Sequence, residues 1–103
     1  MTAFHLALQV DPADNVATIF AEGITDGTQV EVRDPSGRGQ VLCVIGDIPY
    51  GHKIALTDIP QGAPIIKYGH TIGAASRAIR AGEYVHIHNL EALRGRGDWN
   101  REG

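Results

Sequence analysis

Ile48-Pro-Tyr-Gly51-His-Lys-Ile54, Ile59-Pro-Gln-Gly62-Ala-Pro-Ile65 and Ile79-Arg-Ala-Gly82-Glu-Tyr-Val85 share one spacing. An aliphatic residue is followed three places on by glycine, and three places later by a second aliphatic residue. Ile24-Thr-Asp-Gly27-Thr-Gln-Val30 is a fourth copy upstream. The physical reading is a buried anchor, a tight turn whose glycine takes positive φ, and the first inward residue of a new strand. The intervals between copies are irregular, so the unit is a reused turn and not a solenoid repeat.

Outward from these turns the chain reads as short strands. Phe4 to Val10 alternates and predicts a first strand; Val30 and Val32 mark a second. The apolar run Val41-Leu-Cys-Val-Ile45 predicts a central strand, with Cys43 as a small buried residue. Further strands are expected near His52–Thr57, Ala63–Lys67, Thr71–Ala75 and Tyr84–His88. Asp11-Pro12 predicts a helix start: aspartate caps, proline suits the first turn, Val16, Ile19 and Phe20 give one apolar side, and Gly23 stops it. The expected fold is mainly β, a compact roll or barrel with one short α-helix. Residues 1–92 form the domain, and 93–103, without apolar periodicity, form a flexible tail.

Composition narrows the function classes. A 103-residue chain is one domain with a modest core. Its net charge of -3 gives no electrostatic footprint for nucleic acid or an anionic membrane. The lone cysteine cannot form an internal disulfide, and no apolar run has the length of a membrane span. A cytoplasmic location is expected. There is no phosphate-binding glycine loop, no hydrolase triad spacing and no cysteine pair for zinc.

Chemistry concentrates in the last strand. In Tyr84-Val-His86-Ile-His88-Asn89, alternation sends Val85 and Ile87 inward and puts Tyr84, His86 and His88 on the other face. Residues i and i+2 of a strand lie roughly 6.5–7 Å apart, so both imidazoles can approach one metal ion or one anion. His86 and His88 are thus half of a candidate metal site, with His52, His70, Asp47, Asp58 and Glu91 as options for a third ligand. The plainer alternative is two solvated surface histidines. His52 and Lys53 follow Gly51 at the head of a strand, where His52 is either an acid–base group or a rim histidine bonded to a turn carbonyl. Arg94 and Arg96, between glycines, suit carboxylate or sulfonate capture, or belong to a solvated tail.

These same blocks carry a family resemblance. Ile48-Pro-Tyr-Gly-His-Lys-Ile-Ala-Leu-Thr-Asp-Ile59, then Ile66-Lys-Tyr-Gly69 and Ile72-Gly73, then Val85-His-Ile-His-Asn-Leu90, resemble the N-terminal domain of the altronate/galactarate dehydratase family. Asp11-Pro-Ala-Asp-Asn-Val-Ala17 is similar to that domain's opening segment, so the match covers nearly the whole chain. His70 departs from the pattern at the Tyr-Gly turn. The resemblance implies an SAF-type β-clip fold and a lyase that eliminates water from a sugar acid, or sulfite from sulfolactate, to leave a 2-oxo acid. It implies His52, Lys53 and His86 as catalytic candidates, and His88 and Asn89 on the same side as binding residues, with Arg94 and Arg96. It implies a divalent metal, iron or manganese, in the complete enzyme. It also implies either a large catalytic subunit as partner or a chain that is a fragment of a longer enzyme, because the chain ends where family members continue. Two-chain members, including the sulfolactate sulfo-lyase, carry this domain as a separate small subunit. A non-catalytic sugar-acid-binding or scaffold module is the alternative, and open strand edges leave room for a homo-oligomer.

Overall fold

A computed structural model of the chain describes residues 5–92. It contains nine strands and, among the described residues, no helix: β1 His5–Leu8, β2 Val16–Ile19, β3 Gln29–Arg33, β4 Gly39–Cys43, β5 Lys53–Ala55, β6 Pro64–Lys67, β7 His70–Ala75, β8 Tyr84–Val85 and β9 Leu90–Ala92. A six-stranded sheet runs β4-β3-β1-β2-β5-β8, and a three-stranded sheet runs β6-β7-β9. All pairings are antiparallel except β1 with β3.

The repeated turn explains the architecture. Gly27, Gly51, Gly62 and Gly82 all have φ between 82° and 93°. In each copy the residue after glycine donates its N–H to the carbonyl three places back, at 3.0–3.1 Å, which is the type II turn. The turns pair off. Ile24 bridges Ile48, and Ile59 bridges Ile79. The pairs then sort into two cores. Ile24, Val30, Ile48 and Ile54 belong to the first, and Ile59, Ile65, Ile79 and Val85 to the second. Even the braces correspond: Asp47 accepts from the N–H of Asp26 at 3.2 Å, and Asp58 from that of Ala81 at 2.9 Å.

The larger sheet separates these cores. Ala7, Ala17, Ile19, Val30, Val32 and Ile54 face the first. Val16, Ala55 and Val85 face the second, which the smaller sheet closes with Ile65 and Ala75. Strand β2 is therefore buried along its whole length.

That position corrects the helix expected to open at Asp11-Pro12 and stop at Gly23. Asp11–Asp14 is a turn, and Val16-Ala-Thr-Ile19 is a strand with both faces buried. The helical spacing of Val16, Ile19 and Phe20 was a coincidence within a β-branched run, and β-branched residues suit a two-sided strand. The capping aspartates act on other partners. Asp14 is buried and accepts from Gly69 N–H at 2.8 Å and Asp11 N–H at 3.0 Å. Asn15 is a clasp, accepting from Ile66 N–H at 2.7 Å and donating to the Pro64 carbonyl at 2.9 Å.

Val41 to Ile45 is also corrected. Strand β4 lies at the sheet edge, with Val41 and Cys43 exposed. Only the β2, β5 and β8 half of that sheet face has a second layer over it. The expected tail over 93–103 lies outside the described residues.

Candidate functional site

His52 occupies the last position of the second turn, at the rim of the first core. Its N–H donates to the Pro49 carbonyl at 3.1 Å, and its own carbonyl accepts from Ile19 N–H at 2.9 Å. The backbone is thus fastened to β2. Across the sheet, Ile54 pairs with Tyr84, which brings the tyrosine hydroxyl 2.9 Å from His52 Nδ1. The His86 ring lies 4.9 Å from the His52 ring and stacks on Tyr84 at 5.6 Å with 7° between planes. His88 lies 5.3 Å from the same tyrosine. Tyr84 is the hub of three imidazoles drawn from two separate segments.

The histidine segment differs from its expected form. Strand β8 stops at Val85, and residues 86–89 form a turn that leads into β9. Ile87 is 81% exposed, not inward. The cause is Asn89, which is fully buried. Its side-chain carbonyl accepts from His86 N–H at 3.0 Å, and its amide donates to the Tyr84 carbonyl at 2.8 Å. Asn89 N–H and Leu90 N–H both donate to the His86 carbonyl. A side chain occupied in this way has no exposed surface for a substrate, so the expected binding role of Asn89 is corrected to a structural one. The cluster still forms, because the turn folds both histidines back against Tyr84.

Replacing Asn89 by alanine leaves the part-buried Tyr84 carbonyl and His86 N–H without these side-chain partners. The expected cost is roughly 2–3 kcal/mol, checked by chemical denaturation.

Burial of the His86 ring, with His52, Lys53 and His88 nearby, holds its pKa below the ordinary histidine value. His86 is therefore neutral at pH 7. The unfolded chain binds this proton more readily, so the contribution to stability is present above histidine's ordinary pKa. It is lost as pH falls through the depressed folded value. Substituting His88→Gln removes one repelling charge and should move the His86 NMR titration midpoint upward. Lys53 is half-buried, and burial followed by the charge of Lys67 lowers its pKa.

The donors do not make a metal centre by themselves. Among the described residues, no group of three or more His, Cys, Asp or Glu side chains is placed to hold a metal ion. Asp47 and Asp58 brace turns, and His70 is exposed on the Lys67–His70 hairpin. Arg94 and Arg96 lie outside the described residues. Sequence reasoning placed Tyr84 on the histidine face without giving it a role.

Comparison with known proteins shows the family of the chain. The model of the altronate/galactarate dehydratase SAF domain matches residues 5–93. The chain is 43% identical over 82 residues to altronate dehydratase of Escherichia coli K12, covering 80% of this chain and 15% of that enzyme. It is 43% identical over 84 residues to the galactarate dehydratase (L-threo-forming) of the same organism, covering 82% of this chain and 14% of that enzyme. It is 36% identical over 86 residues to the (2R)-sulfolactate sulfo-lyase subunit alpha of Chromohalobacter salexigens, covering 82% of this chain and 90% of that subunit. The chain thus spans about one seventh of the dehydratases it matches and nearly the whole of a lyase subunit. No helix of the described residues is long and apolar enough to cross a membrane. With every described residue inside the matched region, the chain belongs to the altronate/galactarate dehydratase SAF-domain family.

Proposed function

We propose that this chain is the small subunit of a two-chain hydro-lyase that dehydrates a sugar acid to a 2-oxo-3-deoxy acid. In this reading it forms the substrate site together with a large catalytic subunit. The observation that carries the reading is the His52–Tyr84–His86 cluster in a domain similar to two sugar-acid dehydratases.

The chemistry fits such a cluster. A base takes the proton from the carbon next to the carboxylate, the neighbouring C–O bond breaks, and hydroxide departs as water after gaining a proton. The enol then tautomerises to the 2-oxo acid, with no net redox change. His86, neutral at pH 7, is able to accept a proton. His52 has one ring nitrogen engaged by Tyr84, which leaves Nε2 for the substrate or leaving group. Lys53 supplies positive charge beside them and would steady the developing carboxylate charge. A divalent metal, iron or manganese, would belong to the complete enzyme and would supply Lewis-acid chemistry there. Arg94 and Arg96 would meet the substrate where the partner closes the site. A cytoplasmic setting suits the chemistry, and the open β4 edge suits a second copy of the chain.

Coverage of nearly the full length of a sulfo-lyase subunit favours a second reading, a carbon–sulfur lyase acting on a sulfolactate-type acid. One experiment separates the two. The chain is co-expressed with its large-subunit candidate, and 2-oxo acid and sulfite are measured across aldonates, aldarates and sulfolactate. Oxo acid without sulfite supports the hydro-lyase, and sulfite supports the second reading. No complex and no product with any of them rejects both.

A further inference from the structure

The apolar side chain that the fold uses least stands in the middle of the histidine cluster. Ile87 is 81% exposed and belongs to neither core. Its chain neighbours are His86 and His88, so its Cα lies about 3.8 Å from each of theirs. The turn that carries it is braced from several directions. The Asn89 side chain holds the His86 N–H and the Tyr84 carbonyl, Asn89 N–H and Leu90 N–H both donate to the His86 carbonyl, and Ser76 N–H donates to the Asn89 carbonyl at 2.9 Å. Folding asks for no apolar group at this tip, yet an isoleucine is held out in water on a fixed support.

A second exposed apolar group borders the other segment of the cluster. Tyr50 lies two residues before His52 in the second turn, and Phe20 meets its ring edge-on, with centroids 6.1 Å apart. Both rings are exposed. They are placed by the same bonds that place His52. Gly51 N–H donates to the Ile19 carbonyl and Ile19 N–H to the His52 carbonyl, each at 2.9 Å, and Phe20 N–H donates to the Leu6 carbonyl at 2.8 Å. Between the two groups, the half-buried His52 and His86 bring their rings to 4.9 Å. Each segment of the cluster is thus bordered by apolar side chains that the cores leave unused, the pattern of an interaction surface with polar groups at its centre.

We propose that Ile87 on one flank and the Phe20–Tyr50 pair on the other form the docking surface for the large catalytic subunit, which closes over the histidine cluster. Chain length points to this occupant. The chain spans about one seventh of the dehydratases it matches, so in the lyase reading most of the enzyme lies on the partner. Closure of the site points the same way. Proton transfer at carbon works best in a site shielded from water, and a surface laid over His52 and His86 must meet Ile87 and Tyr50, their neighbours in the chain. The partner's face is accordingly apolar, with a socket for one branched aliphatic side chain and a flatter contact for two aromatic rings. Turns already fixed in the free chain lower the cost of ordering on binding. The identity of the partner rests on the lyase reading.

The test titrates the full chain into the purified large-subunit candidate and follows the heat of binding. Ile87→Ser and Tyr50→Ser should each weaken the complex by at least about tenfold, the worth of burying one large apolar side chain. Ile87→Val, which keeps the branch, should bind nearly as the parent does. The control is Val41→Ser, at another exposed apolar residue on β4, four strands or roughly 19 Å from β5; it should change nothing. Thermal unfolding of the free chain should be unmoved by Ile87→Ser, which separates lost docking from lost folding. Parent affinity in Ile87→Ser overturns the proposal, and so does equal weakening by Val41→Ser. Weakening by Ile87→Ser without weakening by Tyr50→Ser overturns the aromatic flank. Sedimentation of the chain by itself tests the rival occupant: a dimer that Ile87→Ser dissolves places a second copy here and overturns the proposal. Product formation scores the lyase reading separately. A complex that makes 2-oxo acid and ignores both serine variants removes the docking surface and keeps the lyase reading. A complex that both variants weaken, but that yields neither oxo acid nor sulfite, keeps the docking surface and removes the lyase reading. Absence of any complex removes both.

Discussion

Gly82→Ala should unfold the domain or lower its stability far more than Gly62→Ala, although the two glycines hold equivalent places in the repeated turn. Both have positive φ, 93° and 87°. An alanine in that region costs about 1–2 kcal/mol from backbone crowding alone. The surroundings differ. A Cβ at Gly62 meets nothing within 4 Å, whereas at Gly82 it would run into the backbone carbonyl oxygen of Cys43. That carbonyl cannot swing away cheaply, because the chain next to it is fixed by Ile45 N–H donating to the Gly82 carbonyl at 2.9 Å. Gly82 N–H also donates to the Ala55 carbonyl, so this turn joins the end of β4 to β5. Adding an overpacking cost of about 1–3 kcal/mol gives roughly 2–5 kcal/mol for Gly82→Ala, against about 1–2 kcal/mol for Gly62→Ala. In a domain of this size each kcal/mol moves Tm by about 4–8 °C. Thermal unfolding of the two variants side by side measures the difference. Equal shifts would show that the Cys43 contact relaxes freely.

This glycine pair also shows how far the sequence could be read. The spacing around Gly27, Gly51, Gly62 and Gly82 revealed the turns, their anchors and the inward strand starts, because a local unit with one φ demand leaves a periodic trace. It could not say which copies pair, since the Ile24–Ile48 and Ile59–Ile79 bridges are tertiary. For the same reason the clash at Gly82 is invisible in sequence: it depends on where β4 ends.

The errors have related causes. The segment from Asp11 to Gly23 carries a genuine capping pattern, but Asp14 accepts from Gly69 N–H and Asp11 from Ala13 N–H without starting a helix. Burial on both faces then erased the alternation that marks a strand. Val41 to Ile45 looked central because an apolar run implies burial, yet it lies at an edge whose outer face carries no second layer. In the site, alternation correctly grouped Tyr84 with the histidines, and the turn at 86–89 kept that grouping by a different route.

His52→Ala should cost the assembled enzyme roughly 10²–10⁴-fold in kcat, the usual worth of a positioned acid–base group. The reasoning is geometric. His52 is held at both backbone ends, its Nδ1 is engaged by Tyr84, and His86 lies against it, so its free nitrogen has a fixed direction. Tyr84→Phe removes the bond that sets this direction but leaves the imidazole in place. It should therefore lower kcat by a smaller factor, about tenfold for one hydrogen bond, with an altered pH profile because the ring nitrogens are no longer distinguished. Stability should change little in either variant. His52 is a rim residue, and phenylalanine keeps the ring that packs on the first core and stacks with His86. A loss of kcat without a matching loss of stability separates catalysis from scaffolding: a purely structural cluster would make the two variants lose activity in proportion to stability. If the complex with His52→Ala retains the parent kcat and the pH profile of Tyr84→Phe is unmoved, the histidines are framework. The domain would then act as a non-catalytic binding or scaffold module, with the proton chemistry supplied by its partner.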